Sequence, residues 1–152
     1  MAVTLADTFT NQKKKQVYYS DFTDNLDLTP FAKCLARVTN ERDVTQSIKN
    51  LVFTNIGERL FQPSVGCNIT ASLFELTGPI LTNELQNAIT TTISLYEPRA
   101  LLQSVLIQDP NSVINLTAPA AIDKNSISVT IQYYLINSPN LITINLFLDR
   151  VR

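Results

Sequence analysis

Few residue types in this 152-residue sequence are suited to catalysis or metal binding. The chain has no histidine, so it can form neither a Ser-His-Asp nor a Cys-His arrangement and no histidine metal site. Its two cysteines, Cys34 and Cys67, are too far apart for a zinc knuckle, and its three glycines form no phosphate-binding loop. A pair of carboxylates, as in glycoside hydrolases, is the catalytic chemistry that remains. The sequence therefore predicts neither a metal nor a cofactor.

Two short charged motifs are candidates for binding a partner, Glu97-Pro98-Arg99 and Glu58-Arg59. Pro98 restricts the backbone, so the side chains of Glu97 and Arg99 project from a rigid corner. The planar guanidinium of Arg99 can pair bidentately with a partner's carboxylate or with its backbone carbonyls. The alternative is an exposed corner with a local ion pair worth about 0–1 kcal/mol. Because an exposed pair adds so little, the binding role predicts that Arg99→Ala weakens partner binding but changes the stability by less than about 1 kcal/mol. Glu58-Arg59 likewise either binds a partner or closes the turn after the first helix.

The composition indicates a folded chain with little charge. Hydrophobic residues make up 45% of the sequence and charged residues 16%, and the net charge is -1. Such a chain does not attract nucleic acid over a distance, and the basic run Lys13-Lys14-Lys15 is interpreted as a solvated arm rather than a phosphate clamp. So little charge favours a protein that lies inside an assembly.

Length and local composition predict one domain, residues 17–152, preceded by a flexible N-terminal arm, residues 1–16. Residues 1–10 lack the basic start and apolar run of a signal peptide, and no stretch reaches the roughly 20 apolar residues of a membrane span. We therefore expect no membrane partner. Two cysteines without a dense pattern predict free thiols in a reduced, cytosolic environment.

Two helices are predicted. The first spans Asp43 to Asn55, with Asp43 as its N-cap and with Gly57 in the left-handed conformation that ends helices. Its buried stripe at helical spacing comprises Val44, Ile48, Leu51 and Val52. The second helix begins near Gly78-Pro79 and ends before Pro98, because proline pushes the preceding residue out of the helical region. Its buried stripe comprises Leu81, Leu85, Ala88, Ile89, Thr92 and Tyr96.

Strands are predicted on both sides of the helices. Val17 to Phe22 and Leu101 to Gln108 have strand composition, and Val113 to Leu116 is a further candidate within a segment, residues 113–124, that looks like an insertion. Alternating apolar residues predict two last strands, Ile127 to Leu135 and Ile142 to Leu148. The turn Asn137-Ser138-Pro139-Asn140 joins these two strands into an antiparallel hairpin.

The predicted elements define a fold class. Phe147 interrupts the polar side of the last strand, which predicts that this strand is covered on both faces near its end. Each helix has one apolar stripe, and the hairpin has one apolar face, so these surfaces are expected to pack together. The sequence therefore predicts an α+β fold: two helices packed on a small, mainly antiparallel sheet that ends in a C-terminal hairpin.

The order of several motifs resembles a known family, the small baseplate wedge protein of contractile-tailed phages. Counterparts of that family occur in type VI secretion and related injection machines, and its older naming is lysozyme-like. The resemblance covers roughly Tyr18 to Arg99 and continues into a β-rich tail. The matching segments are Leu35-Ala36-Arg37-Val38-Thr39-Asn40, Gln46-Ser47-Ile48-Lys49-Asn50-Leu51, Thr54-Asn55, Gly57-Glu58-Arg59, Phe61-Gln62-Pro63, Gly66, Leu73-Phe74-Glu75 and Tyr96-Glu97-Pro98-Arg99.

The resemblance implies a structural subunit rather than an enzyme. Its partner-binding residues are then Glu97, Pro98 and Arg99, which in the family touch the helical bundle of the larger wedge subunits, with Glu58 and Arg59 helping to dock them. The other end resembles the strand-exchanging domain of tail sheath subunits, and an open sheet edge there would template the first sheath ring. The expected location is the tail baseplate of the virion, with the host cytoplasm during assembly. Neither nucleic acid nor a membrane is expected as a partner.

The alternative function is cleavage of peptidoglycan, because wall-degrading activity has been associated with this family. The candidate acids are Glu58, Glu75, Glu84 and Glu97. A glycosidase needs two carboxylates about 5–9.5 Å apart that flank one sugar-binding cleft, and nothing in the sequence places any two in that way. Sugar sites also favour aromatic platforms, and the chain has no tryptophan. We therefore expect no glycosidase activity.

Overall fold

The computed structural model describes residues 16–30, 33–70, 79–108 and 126–149. Its helices are α1 (Glu41–Phe53) and α2 (Pro79–Tyr96). Its strands are β1 (Ser20–Phe22), β2 (Arg37–Thr39), β3 (Ala100–Gln108), β4 (Ser126–Leu135) and β5 (Ser138–Asp149). Residues 1–15 of the predicted arm and the whole predicted insertion, with its candidate strand, lie outside the described residues.

The main sheet is antiparallel with the strand order β3-β4-β5, and β1 and β2 form a separate antiparallel pair. At its centre, Ile131 of β4 lies opposite Val105 of β3 and Ile144 of β5. A register shift between Leu102 and Ser104, the mark of a β-bulge, interrupts the pairing of β3 with β4. The predicted α+β fold with a C-terminal hairpin is therefore confirmed.

The turn of the hairpin is shorter than the sequence predicts. Leu135 already pairs with Ser138, so Ile136 and Asn137 alone form the connection. Pro139 lies inside β5, which tolerates a proline because β5 is an edge strand among the described residues. The predicted four-residue turn is wrong, since three of its four residues, Ser138, Pro139 and Asn140, belong to β5 instead.

One face of the main sheet forms the core with the two helices. Inward-facing residues of β4 alternate strictly and are at most 5% exposed; they are Ile127, Val129, Ile131, Tyr133 and Leu135. The helices contribute apolar stripes to the same cluster, Val44, Ile48 and Val52 from α1 and Leu85, Ile89 and Ile93 from α2. Phe147 on the opposite face is 72% exposed. The prediction that β5 is covered on both faces near its end is therefore wrong within the described residues.

Helix α1 begins earlier than predicted. Asn40 precedes its first residue and has a φ of 52°, a positive value that asparagine adopts more readily than most residues. Asp43 is 3% exposed and lies inside the first turn, so its assignment as N-cap is wrong. The helix ends at Phe53, before an extended Thr54, whereas the positive φ of Gly57 shapes the loop further on. The predicted role of Gly57 as the residue that ends the helix is therefore also wrong.

Helix α2 begins at Pro79 and ends before the Pro98 corner, as predicted. Its predicted stripe is confirmed at three buried positions, Leu85, Ile89 and Thr92. Ala88 is exposed, contrary to the prediction, and the side chain of Leu81 lies outside the described residues. Ile89 is fully buried, so packing compensates for the low helix propensity of the β-branched residues around it.

The segment before β1 is attached to α1 through the side chain of Asn40. That side chain accepts hydrogen bonds from the amides of Tyr18 (2.8 Å) and Tyr19 (3.3 Å) and donates one to the carbonyl of Gln16 (2.9 Å). The amides of Tyr18 and Tyr19 thus bond to a side chain, and β1 is shorter than the predicted strand from Val17 to Phe22.

Candidate functional site

The Glu97-Pro98-Arg99 corner connects α2 to β3. The amide of Glu97 donates to the carbonyl of Ile93 (2.9 Å), and the amide of Ala100 donates to the carbonyl of Glu97 (3.2 Å), so the chain turns tightly at the helix end. Glu97 is only 2% exposed although it carries a carboxylate. A buried carboxylate is costly unless it is paired and hydrogen-bonded, so the groups around Glu97 determine what the corner does.

Arg99 and two residues of α1 surround this carboxylate. Nε of Arg99 donates to Oε1 of Glu97 (2.6 Å) and Nη2 donates to Oε2 (3.0 Å), which is the bidentate geometry of a guanidinium on a carboxylate. Nη1 of Arg99 donates to Oδ2 of Asp43 (3.1 Å). The hydroxyl of Ser47, one helical turn after Asp43, donates to Oε2 of Glu97 (2.5 Å). One guanidinium therefore joins two buried carboxylates and ties the corner to α1.

Two further segments close over these groups. Cζ of Arg99 lies 5.2 Å from the centre of the Tyr19 ring, within the range of a cation–π interaction. The side-chain amide of Asn137 donates to the hydroxyl of Tyr19 (2.8 Å), and the backbone amide of Ile136 donates to the carbonyl of Arg99 (3.2 Å). We define the corner cluster as Tyr19, Asp43, Ser47, Glu97 and Arg99. The N-terminal segment, both helices and the hairpin turn all meet at this cluster.

The two carboxyl groups of the corner cluster have pKa values shifted in opposite directions. Burial opposes the ionisation of Glu97, but hydrogen bonds from Arg99 and Ser47 outweigh it and hold the pKa of Glu97 below its ordinary value of 4.5. Burial raises the pKa of Asp43 above its ordinary value of 3.8, because Arg99 compensates only in part and Asp21 and Glu97 add negative charge. The hydrogen bond with Glu97 further raises the pKa of Arg99. Glu97 is thus the carboxylate that keeps its charge more firmly.

The corner is not the exposed ion pair that the sequence allows as an alternative. The side chains of Glu97 and Asp43 are 3% and 4% exposed, and that of Arg99 is 32% exposed. Loss of Arg99 would leave two carboxylates buried without their counter-charge, which costs far more than loss of a surface pair. The structure therefore contradicts the basis for expecting that Arg99→Ala changes the stability by less than about 1 kcal/mol.

Glu58 and Arg59 lie in the loop after α1. Oε2 of Glu58 accepts a hydrogen bond from the amide of Asn55 (2.8 Å), and the amide of Glu58 donates to the carbonyl of Asn55 (3.1 Å). Glu58 thus closes the turn that follows the helix. Of its two predicted roles, closing the turn and binding a partner, this is the structural one. Arg59 is exposed and makes no ion pair with the described residues.

A pocket of about 250 Å³ lies between the two charged motifs. Ser47, which hydrogen-bonds to Glu97, lines this pocket together with Arg59 and Gln62 of the loop after α1. The structure therefore brings the predicted partner-binding motifs to one region, although Glu58 and Glu97 are each bonded within the chain. The pocket is smaller than the roughly 300–1,000 Å³ of most small-molecule sites.

Sequence reasoning did not include three members of the corner cluster, Tyr19, Asp43 and Ser47, among the site residues. Asp43 and Ser47 are four positions apart and share one face of α1, so a polar pair beside the buried stripe was a signal that could have identified them. Tyr19 carries no comparable signal, because its contact with Arg99 joins distant parts of the chain.

None of the candidate acids that the structure describes lines the pocket. Among the described residues, Asp21 is the one carboxylate that lines it, whereas glycoside hydrolysis uses two. Glu97 and Glu58 are hydrogen-bonded as described above, and Glu84 is exposed on α2. Glu75 lies outside the described residues.

Acidic clusters, thiols and apolar helices are the remaining features that bear on function. Within the described residues, no group of three or more His, Cys, Asp or Glu side chains is placed to hold a metal ion. Cys34 is exposed and Cys67 is buried, burial raises the pKa of Cys67, and both thiols are free as predicted. In the same part of the chain, no helix has the length and apolar character needed to cross a membrane.

Solved structures share this fold. A subunit of the anti-feeding prophage baseplate is similar with a TM-score of 0.62 and 24% identity, over 80% of this chain and 89% of that chain. A putative tail lysozyme from Geobacter sulfurreducens is similar with a TM-score of 0.60 and 20% identity, over 74% of this chain and 92% of that chain. At such identities the likeness establishes the fold, which this chain shares with proteins of tails and baseplates.

The family follows from the sequence comparison. Residues 38–140 match the family described as Baseplate wedge protein gp25, and because this range exceeds half of the chain, the chain belongs to that family. The match includes both charged motifs. The baseplate wedge protein gp25 of Enterobacteria phage T4 is 28% identical over 81 residues, which are 53% of this chain and 61% of the T4 protein. The aligned part thus spans less than two thirds of that relative.

Proposed function

We propose that this chain is a structural subunit of a contractile tail baseplate wedge and that it binds larger wedge subunits through the corner. This proposal rests on the hydrogen bonds and the partial exposure of Arg99. The guanidinium of Arg99 has five N–H groups, and three of them donate to Glu97 and Asp43. The other two have no acceptor among the described residues. The guanidinium is held rigidly, and about a third of the side chain is exposed.

A guanidinium held in this way is suited to recognition. Its orientation is already fixed by two carboxylates, so little side-chain entropy is lost when a partner binds. The two remaining donors can reach a carboxylate or backbone carbonyls of a wedge subunit. Pro98 is exposed beside Arg99 and adds a rigid apolar contact, and Arg59 extends the same surface across the pocket. The partner-binding residues of the proposal are therefore Pro98, Arg99 and Arg59, with Glu97 and Glu58 holding them in place.

The open edges of the main sheet support the second part of the proposal, templating of the first sheath ring. Among the described residues, β3 and β5 each pair with β4 alone, so each has one side on which backbone N–H and C=O groups are unpaired. Such an edge can accept a strand from another chain, which would here belong to a tail sheath subunit. The location that follows is the virion tail baseplate, reached by assembly in the host cytoplasm.

Cleavage of peptidoglycan is the competing function. It is favoured by the similarity to the Geobacter protein described as a putative tail lysozyme. Among the described residues the pocket provides the carboxylate of Asp21 without a second acid, and the carboxylate of Glu97 is engaged by Arg99 and Ser47. We propose on these grounds that the chain is not an enzyme. A zymogram with the purified chain tests this: cleared cell wall that disappears in Glu97→Gln or Glu58→Gln would overturn the proposal.

Co-purification with the larger wedge subunits tests the structural role. The wild-type chain should be retained by these subunits, and baseplates that contain it should nucleate sheath rings visible by electron microscopy. Arg99→Lys keeps one positive charge but lacks the planar fork, so it should bind roughly tenfold more weakly. Wild-type chain that is not retained, or Arg99→Lys that binds as tightly as wild type, would contradict the proposed role of the corner.

A further inference from the structure

Two apolar residues of the loop after α1 are almost completely exposed. Leu60 is 92% and Phe61 is 97% exposed, and Phe53 and Ile56 in the preceding residues are 52% and 60% exposed. Single exposed apolar residues are common on soluble proteins, but several within one short segment indicate a surface that binds something. We define Leu60 and Phe61 as the apolar tip.

Hydrogen bonds fix the loop that carries the apolar tip. The amide of Gly57 donates to the carbonyl of Pro63 (2.8 Å), which closes the loop at its base. The amide of Cys67 donates to the carbonyl of Thr54 (2.8 Å), so the segment that leaves the loop is bonded to the segment that enters it. The apolar tip therefore projects from a closed ring of backbone.

Close packing holds the segment that leaves the loop. Gly66 has a φ of 137°, and a Cβ at this position would lie 2.5 Å from the carbonyl oxygen of Thr54. The hydroxyl of Tyr96 on α2 donates to the carbonyl of Ser64 (2.9 Å) and holds the same segment against the helix. A projection formed in advance loses little conformational freedom on binding, so its apolar area contributes efficiently to affinity.

The charge around the apolar tip indicates the kind of surface that it meets. Residues 49–61 contain Lys49, Glu58 and Arg59, which leaves one net positive charge. The carboxylate of Glu58 already accepts the amide of Asn55, whereas Lys49 and Arg59 are exposed. An apolar projection with a free cation at its base is complementary to an apolar groove that has an acidic rim.

We propose that the apolar tip inserts into an apolar, acid-rimmed groove on a larger wedge subunit and is the main anchor of that interface. The proposal rests on the proposed function and deepens it, since it names a contact other than the charged motifs. A leucine and a phenylalanine cover only part of the roughly 800 Å² that each partner of a stable complex buries. The pocket lined by Arg59 and Ser47 continues the surface from the tip to the corner cluster, so one partner can cover all three.

An anionic membrane is the other surface that apolar and basic residues recognise. Binding to an anionic membrane uses clusters of several lysines and arginines, each of which contributes about 1 kcal/mol of binding free energy. Residues 49–61 offer two cations, in a chain of net charge -1. Protein is therefore the partner that the observations favour, and vesicle binding is a separate outcome of the test.

The test uses the full chain with the double substitution Leu60→Ser and Phe61→Ser. Its affinity for purified larger wedge subunits should fall by roughly 30-fold or more, because central apolar anchors dominate interface energy. Phe147→Ser removes an aromatic residue that is 72% exposed on β5 and is the matched control, with unchanged affinity for the wedge subunits. Arg59→Glu should weaken binding more than Arg59→Ala, since a carboxylate would face the acidic rim.

The outcomes separate this inference from the proposed function. Wild-type affinity in the double variant would overturn the inference while the proposed function stands. Arg59→Glu that binds more tightly than wild type would overturn the acidic rim and the role of Arg59 in the proposed surface, while binding through Arg99 stands. Failure of the wild-type chain to bind any wedge subunit would overturn both. Sedimentation with vesicles of phosphatidylethanolamine and phosphatidylglycerol provides the last arm: co-sedimentation that requires the apolar tip would make a membrane, rather than a protein groove, its target.

Discussion

The corner cluster and the apolar tip place their side chains in opposite environments. Glu97 is charged yet 2% exposed, and Phe61 is apolar yet 97% exposed. At the corner the chain itself supplies partners for both carboxylates and for three of the five N–H donors of Arg99, so the charges are paired before any other protein binds and two donors remain. At the tip, backbone hydrogen bonds close the base of the loop, but the side chains are not covered. Polarity alone therefore does not show which part of this chain is free to bind.

This difference separates stability from binding. Substitutions of the charged corner residues remove contacts that join the end of α2 to α1, so their main effect should be on the free energy of unfolding. Substitutions at the apolar tip remove little contact with the described residues, so their main effect should be on affinity. The following predictions test that separation, from the largest expected effect on stability to the smallest.

Arg99→Ala should give the largest loss. Two carboxylates would remain buried without their cation, which costs about 2–3 kcal/mol because partial exposure of Arg99 lets water compensate for some of the 3–5 kcal/mol of a fully buried pair. The melting temperature should fall by roughly 4–12 °C in a circular dichroism melt. The matched control is Arg59→Ala, which should stay within about 0.5 kcal/mol of wild type. Equal melting of the two variants would show that the corner is not a stabilising cluster.

Gly66→Ala should come next, with a loss of about 2 kcal/mol. Its Cβ would meet the Thr54 carbonyl oxygen at 2.5 Å, and its φ of 137° is unfavourable for alanine. Gly57→Ala is the control, because Gly57 also has a positive φ but no atom lies within 4 Å of a Cβ there. Gly57→Ala should lose only about 1 kcal/mol of stability, the cost of placing alanine at a positive φ. Chemical denaturation measures both, and a larger loss for Gly57→Ala would contradict tight packing behind the apolar tip.

The acid dependence of stability should reveal the two carboxylates of the corner. The folded-state pKa of Glu97 lies below its ordinary value of 4.5, so its stabilising effect is present above pH 4.5 and is lost as the pH falls through the folded value. The pKa of Asp43 is raised above 3.8, so its contribution is present below pH 3.8 and is lost as the pH rises through the folded value.

Melting temperatures measured from pH 3 to pH 7 for Glu97→Gln and Asp43→Asn test these signs. The excess stability of wild type over Glu97→Gln should shrink below pH 4.5, whereas its difference from Asp43→Asn should decrease as the pH rises above 3.8. Parallel curves for wild type and Glu97→Gln would mean that Glu97 is not held ionised by Arg99 and Ser47.

The double variant Leu60→Ser and Phe61→Ser should show the smallest effect on stability. Both side chains are more than 90% exposed, so replacing them should change the free energy of unfolding by less than about 0.5 kcal/mol. Differential scanning calorimetry measures this directly. A clearly lower melting temperature would show that the apolar tip packs against the chain, and the contrast between tip and corner would then not hold.

The sequence predicted most of the fold because the relevant signals are local. Strict alternation along β4 and the apolar stripe of α1 identify the hairpin and the helix without knowledge of distant residues. Pro139 misled the prediction of the turn, since a proline reads as a breaker but is tolerated in an edge strand. Prediction from neighbouring residues was therefore correct for the helices and strands and less reliable for where they begin and end.

The candidate site was less predictable because its contacts are distant in sequence. Asp43 resembles an N-cap locally, and its true partner Arg99 lies 56 positions later. The prediction that Glu97, Pro98, Arg99, Glu58 and Arg59 bind a partner stays a prediction. Leu60 and Phe61 belong to no periodic pattern, so nothing in the sequence indicated whether they are buried or exposed.

The hydrogen bond between Asn137 and Tyr19 has a consequence for the order in which the chain folds during synthesis. It joins residues 118 positions apart, and at about 5–20 residues per second a ribosome needs roughly 6–24 s to add them. Both helices are synthesised before β4 and β5 and can pair before then, whereas Tyr19 must wait for the hairpin turn. A nascent chain that stops short of Ile136 leaves the carbonyl of Arg99 and the hydroxyl of Tyr19 without these partners, so the hairpin turn is the last segment to join the corner cluster.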